Sequence, residues 1–157
     1  MENYIKAVLY AYPLLKNVGE DYAEHIKNKA VLSYKSNKTA EALAEYLAGE
    51  ILYKNRLVWL REVVKNTVDR LSENERTLLA IRYFGKKRKA SEGIQFGNDR
   101  KYFRIQQRLG EKVAGMLRVA GITKDLFEKE FAEIEIFKKI CKHMERLEQK
   151  RNYSSVS

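Results

Sequence analysis

The side chains able to do chemistry crowd into one stretch of the chain. Between Lys86 and Val119 stand ten bases, Lys86, Lys87, Arg88, Lys89, Arg100, Lys101, Arg104, Arg108, Lys112 and Arg118, against three acids, Glu92, Asp99 and Glu111. That stretch holds +7 of the formal +10, leaving only +3 for more than three times as many residues. Such concentration is a footprint for a polyanion rather than a uniformly basic surface. Arg pairs bidentately with guanine edges and Gln with adenine edges in the DNA major groove, so Arg100, Lys101, Arg104, Gln107 and Arg108 are candidates for base contacts. The tetrad Lys86, Lys87, Arg88 and Lys89 falls in a link, where long side chains reach phosphates without being held rigidly enough to read bases.

Other chemistries find no constellation. His25 and His143 are far apart and only Cys141 stands near His143, whereas zinc takes three or four convergent ligands, so neither a metal nor any other cofactor is expected. There is no Walker-type phosphate loop and no G-x-S-x-G elbow. Glu128, Glu130, Glu133 and Glu135 are interleaved with Lys124, Lys129, Lys138 and Lys139, the pattern of a solvated helix face. The chain is therefore not expected to be an enzyme. A single cysteine excludes an internal disulfide framework and suits a reducing compartment. The opening MENYIKAVLYAYPLL lacks a signal peptide's basic start, and no stretch approaches the ~18 clean apolar residues of a membrane span. The expectation is a soluble, cytoplasmic protein with no membrane partner.

The elements that position these residues read as helices. Eight Gly and one Pro in 157 residues are few against the usual ~7% and ~5%, which argues against an all-β chain, and 45% hydrophobic residues suffice for a core. From Ile5 the apolar positions Val8, Leu9, Tyr12, Leu15, Val18, Tyr22 and Ile26 step by three and four, predicting a helix to about Leu32. Pro13 should either kink it near Ala11 or begin a second helix. The polar break SYKSNK, from Ser33 to Lys38, precedes a long helix from about Thr39 to Leu71, with Leu43, Leu47, Ile51, Val58, Val64, Val68 and Leu71 as its buried stripe. A short link between two such helices predicts an antiparallel hairpin. Tyr12, Tyr22 and Tyr46 are expected in the core. Trp59 is expected to be buried, with an exposed interface anchor as the alternative.

Ser72 and Glu75 fit a capping box, so a helix should start at Glu73 and stop at Gly85. Ala90 to Phe96 could supply two turns, interrupted by Gly93. Gly97, Asn98 and Asp99 then offer turn and cap chemistry before a helix from about Arg100 to Val119. On it Tyr102, Ile105, Leu109, Val113 and Met116 should pack inward, and Tyr83 and Phe84 should wedge the preceding helix against it. Gly121 should end this helix, Thr123 cap a short one, and Ile134 to Gln149 form the last, followed by a frayed tail NYSSVS.

From Glu73 to Leu117 the chain resembles the helix-turn-helix of sigma-factor region four. The residues that carry the resemblance are ERTLLAIRYFG, a basic link, a short segment ending in FGND, and RKYFRIQQRLGEKV. Matching Arg104, Ile105 and Gln106 to that family's recognition-helix run implies that Tyr102, Ile105 and Leu109 pack inward. It places Arg100, Lys101, Arg104 and Arg108 where the family contacts the promoter's upstream element. Small phage and mobile-element regulators of low-GC bacteria carry a similar unit behind a helical N-terminal region, and YAYPLLKNVGEDYAEHIKNKAVLSY looks like theirs. The segment from Ala90 to Phe96 is shorter than the family's supporting helix, and no part resembles the region that binds the polymerase core in a complete sigma factor.

The reading is an all-α protein: an N-terminal long helical hairpin (1–71), a helix-turn-helix-like unit (72–120) and a C-terminal helical cap with its tail (121–157). Its expected function is DNA-binding transcriptional regulation through a basic recognition helix in the major groove of double-stranded DNA. The rival is a protein-interaction module whose basic face meets RNA polymerase or another regulator. RNA binding ranks third, for want of an RNA motif. The Thr39 to Leu71 helix is the candidate for homodimer formation.

Overall fold

The computed structural model describes residues 1–33, 39–87 and 99–156. These form helices and no strand: α1 (Asn3–Ser33), α2 (Ala40–Asp69), α3 (Glu73–Tyr83), α4 (Asp99–Val119), α5 (Lys124–Glu130) and α6 (Glu135–Val156). The all-α architecture is as expected. Two compact units make up the chain, one of Met1–Tyr12 with Val63–Ser157 and one of Pro13–Glu62. They cut the chain differently from the three segments read along the sequence, because the first turns of α1 belong with the later helices.

In the first unit, Ile5, Ala7, Val8, Leu9 and Ala11 of α1 are fully buried. Tyr4 meets Phe127 at 6.0 Å, Tyr10 meets Tyr83 at 5.0 Å, and Tyr12 meets Phe84 at 5.1 Å between ring centroids. Tyr83 and Phe84 thus pack on α1, and Tyr83 also borders α4 at Phe103 and Gln106. Phe127, Phe131 and Phe137 form an edge-to-face cluster that closes the core around α5 and α6.

Local chemistry explains where these helices begin and end. Ser72 Oγ accepts the Glu75 N–H (3.2 Å) and Glu75 Oε1 accepts the Ser72 N–H (3.1 Å), the reciprocal capping box that starts α3. Past its end, Gly85 takes φ +75, a left-handed conformation costly for other residues, and lets the N–H groups of Phe84 and Lys86 both reach the Ala80 carbonyl. Gly121, at φ +104, closes α4 with a Schellman pair: Ile122 N–H to Leu117 and Gly121 N–H to Arg118, both 3.0 Å. Two residues later the Thr123 hydroxyl accepts the Leu126 N–H and opens α5.

In the second unit, His25 Nε2 and Tyr46 Oη share a 2.9 Å hydrogen bond, with Lys29 over the same ring. Leu15, Gly19 and Ala23 share a hollow with Lys54, Val58 and Arg61. Low numbers on α1 thus meet high numbers on α2, the contact order of an antiparallel hairpin.

Several expectations are corrected. Helix α1 is not split at Pro13, which sits inside it with its ring exposed while Ala11 and Leu15 stay buried. Helix α6 does not fray after Gln149 but continues to Val156, since no Gly or Pro interrupts it and the Ser154 hydroxyl bonds back to the Lys150 carbonyl. On α2 the buried side chains are Leu57, Leu60, Val64 and Thr67, whereas Ile51, Val58 and Trp59 are exposed. Tyr46 is exposed too, at its bond with His25. The expected link at residues 34–38 and the segment from Ala90 to Phe96 with the Gly97–Asn98 turn lie outside the described residues.

Candidate nucleic-acid interface

Helix α4 is held against α3 at two points that set its rotation. Gln106, buried, donates through Nε2 to the Leu78 carbonyl (2.9 Å) and to Tyr102 Oη (3.0 Å). Two turns on, Lys112 Nζ donates to both oxygens of Glu75, at 2.9 and 3.1 Å. The Lys112 hydrogen bond, followed by that from the Ser72 backbone, holds the Glu75 carboxyl below its ordinary pKa. One glutamate thus caps α3 and ties α4 to it. Contacts pass from Glu75–Lys112 to Leu78–Gln106, so the two helices run in opposite senses.

With that rotation set, Tyr102, Gln106, Leu109, Val113 and Leu117 face inward. The inward stripe differs from the expected one at Ile105 and Met116, which are only half-buried. Gln106 takes the buried place beside Ile105. A helix advances 100° per residue, so the opposite side carries Arg100, Arg104, Gln107, Arg108 and Glu111, all exposed. Arg100, Arg104 and Arg108 follow one another about 6 Å apart along the axis. Among the described residues none of these three guanidinium groups has a carboxylate partner. Lys101 is exposed on the edge of this face.

Of the tetrad, Lys86 and Lys87 are exposed directly after Gly85, while Arg88 and Lys89 lie outside the described residues. Three neighbours of the basic face stand outside the candidates named from the sequence. Phe103, 62% exposed, rises beside Arg104 and Gln107. Lys6 and Arg82 border a hollow of about 280 Å³ shared with Phe103 and Gln107, and Arg82 also lies 5.7 Å over the Tyr83 ring. Arg82 could have been suspected as the base before the Tyr83-Phe84-Gly85 stop. Lys6 could not, being nearly a hundred residues away.

Among the described residues no three His, Cys, Asp or Glu side chains are grouped to hold a metal, and no helix is long and apolar enough to cross a membrane. Cys141 is half-buried in a hollow with Tyr4, Phe127 and Glu145, and burial, aided by the Glu145 charge, pushes its thiol pKa up, away from the reactive thiolate. Comparison with protein-family models, curated proteins and solved structures finds no match to this chain.

Proposed function

We propose that this protein binds duplex DNA through the outward face of α4 and acts in transcriptional control. One observation carries the reading: the Gln106 anchor turns α4 so that Arg100, Arg104 and Arg108, without a carboxylate partner among the described residues, stand on one face with Gln107. That face is narrow enough for a major groove about 12 Å wide and bears the two side-chain types best suited to purine edges. Lys101 borders the face. Phe103 beside it suits the methyl group of thymine. Lys86 and Lys87, with Arg82 and Lys6 nearby, supply positive charge for the flanking phosphates. The resemblance to sigma region four points to promoter DNA as the target.

Selection from random duplexes followed by binding titrations tests the reading. Arg104→Ala should lose about 1–3 kcal/mol on the selected site and much less on random duplex. Lys87→Ala should weaken both alike and lower the salt slope by about one unit. Equal losses for Arg104→Ala would make it a phosphate contact. Absence of binding to any duplex at low salt would overturn the DNA reading and leave a protein partner, RNA polymerase or another regulator, as the ligand of the basic face.

A further inference from the structure

The basic stretch around α4 has a counterpart at the other end of the same compact unit. Past its first residue, Glu135, helix α6 carries six bases, Lys138, Lys139, Lys142, Arg146, Lys150 and Arg151, against two acids, Glu145 and Glu148. That segment is +4, and with the +7 between Lys86 and Val119 it leaves the remainder of the chain at −1. Several other exposed lysines are matched within one helical turn, Lys65 by Asp69, Lys129 by Asp125 and Lys139 by Glu135. Lys142, Arg146 and Lys150 are not: among the described residues none of the three has a carboxylate partner. They follow one another four residues apart, where like charges are neighbours and weaken the helix that carries them. The helix dipole does not account for them either, since no base stands in the last turn of α6.

Helix geometry puts these three on one outward face. At about 100° per residue, Lys142, Arg146 and Lys150 lie within an arc of about 80°, with Gln149 and Tyr153 beside them. Directly opposite stand Phe137, fully buried, and the half-buried Cys141 and Met144. The two acids keep to that inner side or its border: Glu148 accepts a hydrogen bond from Asn3, and Glu145 lines the hollow that holds Cys141. Every side chain from Glu145 to Ser154 is exposed, and the described residues around the hollow on the outward side all belong to α6. We propose that this face of α6 is a second binding surface for duplex DNA, one that holds the phosphate backbone without reading sequence. Lys, Arg, Gln and Tyr side chains all donate to phosphate oxygens. Three cations spaced about 6 Å apart along one axis meet a strand that carries a phosphate every ~3.4 Å. A specific protein interface places apolar residues at its centre and depletes charge there, whereas this face is centred on Arg146. A membrane surface would take the apolar side of an amphipathic helix, and in α6 that side faces the core. The inference rests on duplex DNA being the ligand and is independent of base reading by α4.

Titrations of the full chain against random and selected duplex, repeated across salt concentration, test the face. Arg146→Gln/Lys150→Gln places good helix formers at exposed positions, so its circular dichroism and melting temperature should match the parent's. It should bind both duplexes about tenfold more weakly near 100 mM salt and lower the salt slope by about two units, with the preference for the selected duplex unchanged. The charge-matched Lys16→Gln/Lys27→Gln, in the other compact unit, should keep the parent's slope. An α6 variant with the parent's affinity and slope overturns the proposal and leaves the DNA reading of α4 standing. A remote variant that loses as much as the α6 variant also overturns it, by making net charge the cause. So does a loss confined to the selected duplex, which would make α6 a reader of bases. If Arg104→Ala loses nothing on either duplex while the α6 variant loses on both, the reading of α4 falls and this one stands. A parent that binds no duplex overturns both.

Discussion

Helices α2 and α4 distribute their apolar residues in different ways, and the difference separates two kinds of surface. Helix α4 keeps them to one side, where Tyr102, Leu109, Val113 and Leu117 are buried, and gives the other to Arg100, Arg104, Gln107 and Arg108. Helix α2 has them on two opposite sides, burying Leu57, Leu60 and Val64 and exposing Ile51, Leu52, Val58 and Trp59. A helix with one apolar stripe has one way to pack, and its remaining face is free to carry charge toward a polyanion. A helix with apolar residues on two sides can bury only one of them in the core, so its own periodicity leaves its rotation open. The single stripe of α4 therefore fixes which side of that helix turns inward, whereas the two apolar sides of α2 leave the choice to the rest of the fold.

The sharpest way to break this comparison is to place a charge on each face of α2. Val64→Glu puts a carboxylate at a fully buried position with no cation designed to meet it, and should cost about 3–5 kcal/mol. Ile51→Glu, on the exposed stripe, should change stability by no more than about 0.5 kcal/mol when melted at low micromolar concentration, where association contributes little. Thermal unfolding followed by circular dichroism distinguishes them. Equal destabilisation would mean that both faces of α2 are packed in the single chain.

Counting along the sequence gives a stripe on α2 that is buried at Val64 and Leu71 and exposed at Ile51 and Val58, for a definable reason. Steps of three and four from Leu43 lead through Leu47 to Ile51 and Val58, which is a consistent helical face, but the core reaches Val64 through Leu57 and Leu60 instead. With two stripes present, periodicity states that a helix forms and not which side is inward. Caps were legible for the opposite reason. Ser72 with Glu75, Gly85, Gly121 and Thr123 act on backbone groups within a few residues, so neighbours along the chain contain the whole interaction. In the candidate site, the exposed positions of Arg100, Arg104, Gln107 and Arg108 were readable from the same periodicity, because α4 has a single stripe. Gln106 was not. In the run Arg104-Ile105-Gln106-Gln107 a glutamine looks like surface, and its burial depends on the Leu78 carbonyl, twenty-eight positions back. The N-terminal turns of α1 escaped notice as the core of the first unit for the same reason, since their partners Tyr83, Phe84 and Phe127 are remote in sequence.

The adjacent glutamines of α4 sharpen the comparison at the level of one helix. Gln106→Ala removes two buried hydrogen bonds and leaves a small void against α3, and should cost about 1–3 kcal/mol. Gln107→Ala lies in water and should leave the melting temperature near that of the parent. Because Gln106 sets the rotation of α4, its loss should also weaken binding to a selected duplex without touching any base, whereas Gln107→Ala should act on binding alone. If the two variants unfold alike, Gln106 does not anchor the helix.

The smallest effect concerns how α4 is tethered, and it depends on pH. Glu75 accepts hydrogen bonds from Lys112 and from the Ser72 backbone, and these hold its folded pKa below the ordinary value, the Lys112 bond being the larger cause. A carboxyl with a depressed folded pKa contributes stability that is fully present above its unfolded pKa, about 4.3, and is lost as pH falls from there through the folded value. Above that window the ionised group favours the folded state; below it both states are protonated and the contribution vanishes. Lys112 is half-exposed, so water and salt screen the pair and the capping box supplies much of the effect. Glu75→Gln keeps a side chain that can still cap Ser72 but removes the charge that meets Lys112. The variant should melt below the parent by an amount worth less than about 1 kcal/mol at pH 7, and the gap should narrow as pH is lowered from 5 to about 3. Raising salt at pH 7 should narrow it as well. A variant that melts with the parent at pH 7 would assign the role of Glu75 to capping, which glutamine keeps, and leave Gln106 to anchor α4 without the Lys112 tether.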